Sequence, residues 1–348
     1  MSGLKEVITS YNNLSFSDRI VFYSTISNNI PFTEDMQSFL ADRRFDGGNS
    51  CIYCEGTHVV KNGKRKDGTQ SYLCRDCHRS FIPSSDSITS RTRKSVSVWT
   101  TYLKCMMDQK TLKKTSEECN ISISTAFTWR HKILDTLDEL TEKAYLTGTV
   151  EADETFFNVS YKGNHSHSDR FAMPRDAHKR GNDIHTNGLS SEKVCVPCAV
   201  DDAGRSYAKP GKLGKVSSEC IERILGEKIA PGATLCTDQE RAYLLYAGRN
   251  NLKLMQMDTD CRTVHKDGRI YGIQRINAYH SRLKTFIRKF HGVSTKYLGN
   301  YIVWHALLSG NHRNSIDFLQ QLCGQVLFAR ITRYGHDIPD RPPLPVTA

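Results

Sequence analysis

Residues 148–157 read GTVEADETFF. This is a run of β-branched and aromatic residues in which alternation places Glu151, Asp153 and Thr155 on one face of a strand. Working outward, the runs Val194 to Val200, Ser206 to Lys209, Thr234 to Thr237 and Leu252 to Met257 also read as strands, separated by helical stretches, which is the pattern of an α/β sheet. Asp238 closes the apolar run Thr234 to Thr237, at the carboxyl end of a strand, where α/β sheets gather ligands. Beyond residue 271 the chain turns amphipathic and helical, and Asn277, His280 and Lys284 recur at i, i+3 and i+7, on one helix face. Oxygen donors converging from separate elements suit Mg²⁺, and a pair of such ions about 4 Å apart activates a water or hydroxyl for in-line displacement at phosphorus.

The amino-terminal half carries a different signal. Cys51, Cys54, Cys74 and Cys77 form C-x2-C-x19-C-x2-C, a spacing that places four thiolates around one structural Zn²⁺ per chain. Val59 and Val60 are expected to pair with Tyr72 and Leu73 in a hairpin, with Asn62-Gly63 and Asp67-Gly68 as turn signals. Lys61, Lys64, Arg65 and Lys66 cluster on it, facing phosphates. Residues 96 to 142 read as three helices, with Asn120-Ile121-Ser122 as the turn of a helix-turn-helix. Its last helix is expected to present Ser124, Thr125, Thr128 and Arg130 to a major groove, with His131 and Lys132 near phosphates and Phe127 and Trp129 in the core. Cys195 and Cys198 lie inside an apolar run without a partner pair and read as buried strand residues.

The chain's 348 residues carry 48 Lys and Arg against 37 Asp and Glu, a net charge of +11. From His58 to Lys114 there are 13 basic and 4 acidic residues, so this window alone holds +9. Such an excess points to a polyanionic partner. With 38% hydrophobic residues the chain is not disordered, and no apolar run is long enough to span a membrane, so a cytoplasmic, nucleoid-associated protein is expected. In a reducing compartment its twelve cysteines should stay out of disulfides.

The division expected is an N-terminal helical segment (1–46), a zinc ribbon (47–88) ending in a Ser-rich linker, a helix-turn-helix module (94–142), an α/β catalytic domain (148–320) and a C-terminal segment with a loose Pro-rich tail (321–348). Within the fourth, residues 160–193 read as a polar insertion. Its His165, His167, His178 and His185 are spaced too irregularly for a metal site, while Arg175, Lys179 and Arg180 are placed to touch DNA.

In this order the motifs CIYC and CRDCHRSF (Cys51 to Phe81), TAFTWRHKIL (Thr125 to Leu134), VEADETF (Val150 to Phe156), CTD with QERAY (Cys236 to Tyr243) and INAYHSRLK with FHGVSTKYL (Ile276 to Leu298) resemble bacterial insertion-sequence transposases. Those proteins join a zinc ribbon and helix-turn-helix to an RNase H-like domain of the DDE type. The resemblance implies that Asp153 and Asp238 are the first two Mg²⁺ ligands, with Mn²⁺ as an alternative ion, and that Asn277 stands where many relatives have glutamate. Lys284 matches the family's phosphate-holding basic residue. His280 is the alternative third ligand, and Glu151 and Glu154 are reserves for the first. It further implies binding of terminal inverted repeats and target DNA, strand cleavage and strand transfer, with at least a homodimer on DNA. The rival readings are a non-enzymatic DNA-binding regulator and an RNase H-like nuclease.

Overall fold

The computed structural model describes residues 2–14, 45, 48–66, 68–90, 92, 94, 96–163, 192–258, 263–266, 268–309, 326 and 335–342. The chain divides into two compact units, Met1–Ser85 with Thr89–Thr100, and Asp86–Ile88 with Thr101–Ala348. Most of the N-terminal helical segment beyond residue 14, the histidines and basic residues of the insertion, and most of the C-terminal segment lie outside the described residues.

In the first unit, helix α1 (Ser2–Asn12) is followed by three antiparallel strands, β1 (Val59–Lys64), β2 (Gln70–Cys74) and β3 (Ser80–Phe81). Val60 stands opposite Leu73, as expected. Asn62-Gly63 is not a turn. The register slips between Lys61 and Lys64, and Gly63 takes a φ of +70°, so the dipeptide forms a bulge within β1. The reversal itself falls at Arg65 to Thr69, with Gly68 at φ +81°. Among the described residues around these strands the buried cluster is Cys51, Tyr72, Cys74 and Phe81, with Phe45 packed on Tyr72. So small a core needs a further tie. The Ser-rich stretch is no open linker, because Ser87, Ile88 and Thr89 are buried.

The second unit is built on a mixed sheet with flanking helices, which fits an RNase H-like domain. Its strands are β4 (Thr149–Asn158), β5 (Lys193–Asp201), β6 (Ser206–Ala208), β7 (Lys212–Leu213), β8 (Thr234–Thr237) and β9 (Lys253–Gln256). The order is β6-β5-β4-β8-β9, with β7 also on β5. β4 runs antiparallel to β5 and parallel to β8, and β8 is parallel to β9. Helices α5 (Ser218–Leu225) and α6 (Arg241–Arg249) cover one face, burying Val150, Ala152, Leu235, Ile221, Tyr243 and Tyr246 in one core. A short hairpin, β10 (Thr263–Lys266) and β11 (Arg269–Gly272), leads into α7 (Gln274–Arg288), which packs on β4 and β5. The sequence reading missed this hairpin, although Asp267-Gly268 is its turn signal. Cys195 and Cys198 are buried in β5, and strand alternation sends them to opposite faces, so they make no common site.

Helices α2 (Val96–Met107), α3 (Leu112–Glu118) and α4 (Ile123–Thr141) match the three expected. After α3, Asn120 adopts a φ of +48°, its N–H donates to the Glu117 carbonyl and that of Ile121 to Ser116, a Schellman termination. Ser122 then caps α4 by accepting from the N–H of Thr125. From residue 101 onward these helices belong to the same compact unit as the sheet, not to a free-standing module. α4 packs along α8 (Leu298–Ser309). The Pro-rich tail is anchored where it begins, because Ile338 is buried, its carbonyl accepts from the Tyr297 hydroxyl, and Arg341 pairs with Asp135. Among the described residues no helix is long and apolar enough to cross a membrane.

Candidate active site

Register brings the two aspartates together. On the parallel pair β4 and β8, Glu151 lies opposite Cys236. Two residues further along each chain, Asp153 and Asp238 therefore reach the same level on neighbouring strands, which are about 4.8 Å apart. The Asp153 carboxyl is pushed up to about 7, first by burial and then by the negative charge of Asp238, with Lys284 pulling the other way. Asp238 is not a helix cap. It sits before the cap residue Glu240 and accepts from that residue's N–H in an Asx turn.

The face carrying Glu151, Asp153 and Thr155 lies under α7, as the alternation requires. His280 Nδ1 is 3.7 Å from Asp153 Oδ2. Burial and Lys284 lower the imidazole's pKa to about 4, so the ring is neutral at pH 7. Asn277, on the first turns of α7, lines a cavity of about 470 Å³ with Asp238, Glu240, Met257, Asp258 and Ile273. Asp153 does not line it.

One feature of the site escaped the sequence reading. Asp258 follows the β9 run just as Asp238 follows β8, so the same end-of-strand signal could have found it. Glu154, named as a reserve for the first ligand, lies on the opposite face of β4 from Asp153 and is pushed up to about 7 by burial and by Asp153 and Asp238. Glu151 is no reserve ligand. Its buried Oε2 accepts from the backbone N–H groups of Arg275 (2.7 Å) and Ile276 (3.0 Å), while Oε1 lies 3.5 Å from Arg275 Nη1. It closes the N-terminus of α7, whose own cap residue Ile273 offers no side-chain acceptor.

In the first unit, the Sγ atoms of Cys51, Cys54, Cys74 and Cys77 all lie within 4.8 Å of one another. The pairs Cys51–Cys77 and Cys54–Cys74 stand at 3.6 Å. A tetrahedron with Zn–S bonds of about 2.3 Å has edges of about 3.8 Å, so the cluster fits a zinc ion. Although burial opposes it, the Cys51 thiol is drawn down to about 7, chiefly by the Tyr53 N–H, which donates to its sulfur. His58 is engaged elsewhere, 2.7 Å from Asp76. Among the described residues no other group of three or more Cys, His, Asp or Glu donors is drawn together to this degree.

The surfaces expected to meet DNA are only partly exposed. Lys61, Lys64, Arg65 and Lys66 are exposed on the hairpin, as is Ser124 at the start of α4. Thr125, Thr128 and Lys132 are half-buried. Arg130 and His131 are not surface residues. Arg130 is 0% exposed, donates through Nη2 to the Lys110 carbonyl, and lies 4.9 Å over the Trp304 ring. His131 packs against Phe127 and Tyr297, and burial together with Arg341, Arg130 and Lys296 pushes its pKa well down, leaving it neutral. Both belong to the stripe Ala126, Trp129, Ile133, Leu134 and Leu137, and Arg130 stands four residues from Ala126 and from Leu134. That spacing was the signal that these side chains point inward.

Residues 145–304 match the ISXO2-like transposase domain. The match spans the sheet, α7 and the start of α8, and it supports a transposase. The chain is 25% identical over 214 residues to an uncharacterized protein in transposable element ISH50 of Halobacterium salinarum, covering 59% of this chain and 67% of that protein. A chain in the crystal structure of a pre-cleavage Mos1 transpososome is 12% identical, covering 67% of this chain and 78% of that one, at a TM-score of 0.19 that is too low to equate the two folds.

Proposed function

We propose that the protein is a DNA transposase that binds the terminal inverted repeats of an insertion sequence, cleaves at its ends and joins them to target DNA. The reading rests on Asp153 and Asp238, level on adjacent parallel strands beneath α7, inside the segment that matches a transposase domain. Asp153, Asp238 and the amide oxygen of Asn277 are the donors for Mg²⁺ or Mn²⁺, which when bound supplies charge for in-line attack at phosphorus. The side chains' own tasks follow from their placing. Asp153 and Asp238 present acceptor oxygens side by side on β4 and just beyond β8, His280 lies 3.7 Å from the Asp153 carboxylate, and Lys284, one turn on, offers a cation for a phosphate. An amide in the third position leaves the site with two negative charges, so a weaker ion affinity than that of three carboxylates is expected. The ribbon lysines and the start of α4 hold the DNA, and pairing two ends requires at least two copies of the chain.

The test is to incubate the protein with duplex DNA containing the sequence that flanks its coding frame, with and without Mg²⁺. Mg²⁺-dependent nicking that disappears in Asp153→Ala while binding persists supports the enzyme. Binding with no metal-dependent nicking makes the protein a regulator, and preferential cutting of RNA–DNA hybrids makes it a nuclease of another kind.

A further inference from the structure

In the second unit, a cleft of about 1620 Å³ opens between α3, the first turns of α4 and the loop that follows α7. Small-molecule sites hold roughly 300–1,000 Å³, so this one is too large for a typical metabolite. Its lining carries Lys113, Lys114, Lys162, Lys289 and Lys296, and the one acid among the lining residues is Asp340. Three of the amines donate to neutral groups. Lys162 Nζ donates to the carbonyls of Phe290 (3.3 Å), His291 (2.7 Å) and Gly292 (3.0 Å), Lys289 donates to the Gln109 side-chain oxygen, and Lys296 donates to the Pro339 carbonyl (3.1 Å). Lys113 and Lys114 are exposed on α3. Among the described residues no carboxylate forms a salt bridge with Lys113, Lys114, Lys162 or Lys289. Lys296 has the Asp340 carboxylate near it, but the charges of Lys113, Lys114, Lys162 and Lys289 are not cancelled by a salt bridge among the described residues, which is the electrostatic condition for binding a chain of phosphates.

We propose that this cleft is a binding channel for the phosphodiester backbone of duplex DNA, linking the turn before α4 to the helix that carries Asn277 and Lys284. The proposal rests on the transposase reading for its choice of polyanion, and it replaces Arg130 and His131 as the DNA contacts of this unit. A concave groove excludes a flat lipid surface, and its lining sets the lysines beside Ile123, Phe127 and Tyr297.

Fluorescence anisotropy of a labelled duplex of arbitrary sequence, titrated at several salt concentrations, tests it with the full-length protein. The double variant Lys113→Glu, Lys114→Glu should bind at least tenfold more weakly at about 0.15 M salt. The neutral pair Lys113→Gln, Lys114→Gln should lower the slope of log K against log salt by roughly two, at about 0.9 per phosphate contact. Lys253→Glu, an exposed control on β9, should bind as wild type does. Circular dichroism should show unchanged helix content in all three. Affinity and salt slope equal to wild type in both lysine pairs overturn the proposal, as does tighter binding of duplex RNA through the same lysines. The two readings separate in the nicking assay. Lysine-dependent binding without Mg²⁺-dependent nicking keeps the channel and removes the transposase, whereas Asp153-dependent nicking by lysine pairs of undiminished affinity does the reverse.

Discussion

Glu151→Ala removes the carboxylate that accepts from the first N–H groups of α7. In the wild-type chain one carboxylate oxygen takes the N–H groups of both Arg275 and Ile276, and the Glu151 side chain is 4% exposed, so water cannot easily replace it. A lost N-cap costs about 0.5–2 kcal/mol, and a buried donor left unsatisfied about 1–3 kcal/mol. Because the two descriptions overlap on the same two N–H groups they are not added, and the expected loss is about 1–3 kcal/mol. Glu151→Gln keeps an acceptor oxygen in place and gives up the charge, so its loss should stay under about 1.5 kcal/mol. Urea unfolding followed by Trp fluorescence measures both. Since Asn277 lies in the first turns of the helix that Glu151 anchors, the alanine variant should also need more Mg²⁺ than wild type for half-maximal nicking, and the glutamine variant should recover most of that difference. The reasoning is refuted if Glu151→Ala unfolds within about 0.5 kcal/mol of wild type, or if glutamine is as damaging as alanine.

Three further outcomes are expected. Arg130→Ala should destabilise the second unit by about 2–5 kcal/mol, the range for truncating a large buried side chain to alanine, while leaving the salt dependence of DNA binding unchanged; a reduced salt slope at normal stability would return Arg130 to the DNA surface. Zinc analysis of the purified protein should find one ion per chain, and Cys51→Ser with Cys54→Ser should lose both the ion and the hairpin's resistance to proteolysis. Equal zinc content in wild type and variant would sink the four-cysteine site. His305 is buried with its pKa pushed down to about 4 by burial and Arg282, whereas an unfolded histidine takes its proton near 6.5. Below about pH 6.5 the unfolded state binds a proton that the native state refuses, so this residue lowers stability as pH falls toward 4. The raised carboxyls of Asp153 and Glu154 act in the opposite sense over the same window, so the comparison must be between variants: His305→Leu should gain stability relative to wild type between pH 7 and pH 5, and no relative gain contradicts the assignment.

Most of what was legible in the sequence depended on short-range periodicity. Alternation in residues 148–157 correctly placed Glu151, Asp153 and Thr155 on one face, because strand geometry allows no other arrangement. The Asn120 to Ser122 turn was readable because a left-handed Asn and a capping Ser are local requirements, and the cysteine spacing was readable because metal geometry restricts it. Reading Asn62-Gly63 as a turn failed for a local reason too, since a left-handed Gly serves a bulge as well as a reversal.

What the sequence by itself determined, then, was the identity and order of the elements and the chemical types of the candidate donors, since each of these depends on neighbours a few residues away. Only the tertiary structure decided the rest. It set Asp153 level with Asp238, turned Glu151 from a reserve ligand into a helix cap, buried Arg130 and His131 against α8 and the turn before it, and drew lysines from three distant segments into one cleft. The physical reason is the same in each case: burial and pairing depend on residues 15 to about 180 positions away, and no local pattern records which partner a side chain will meet.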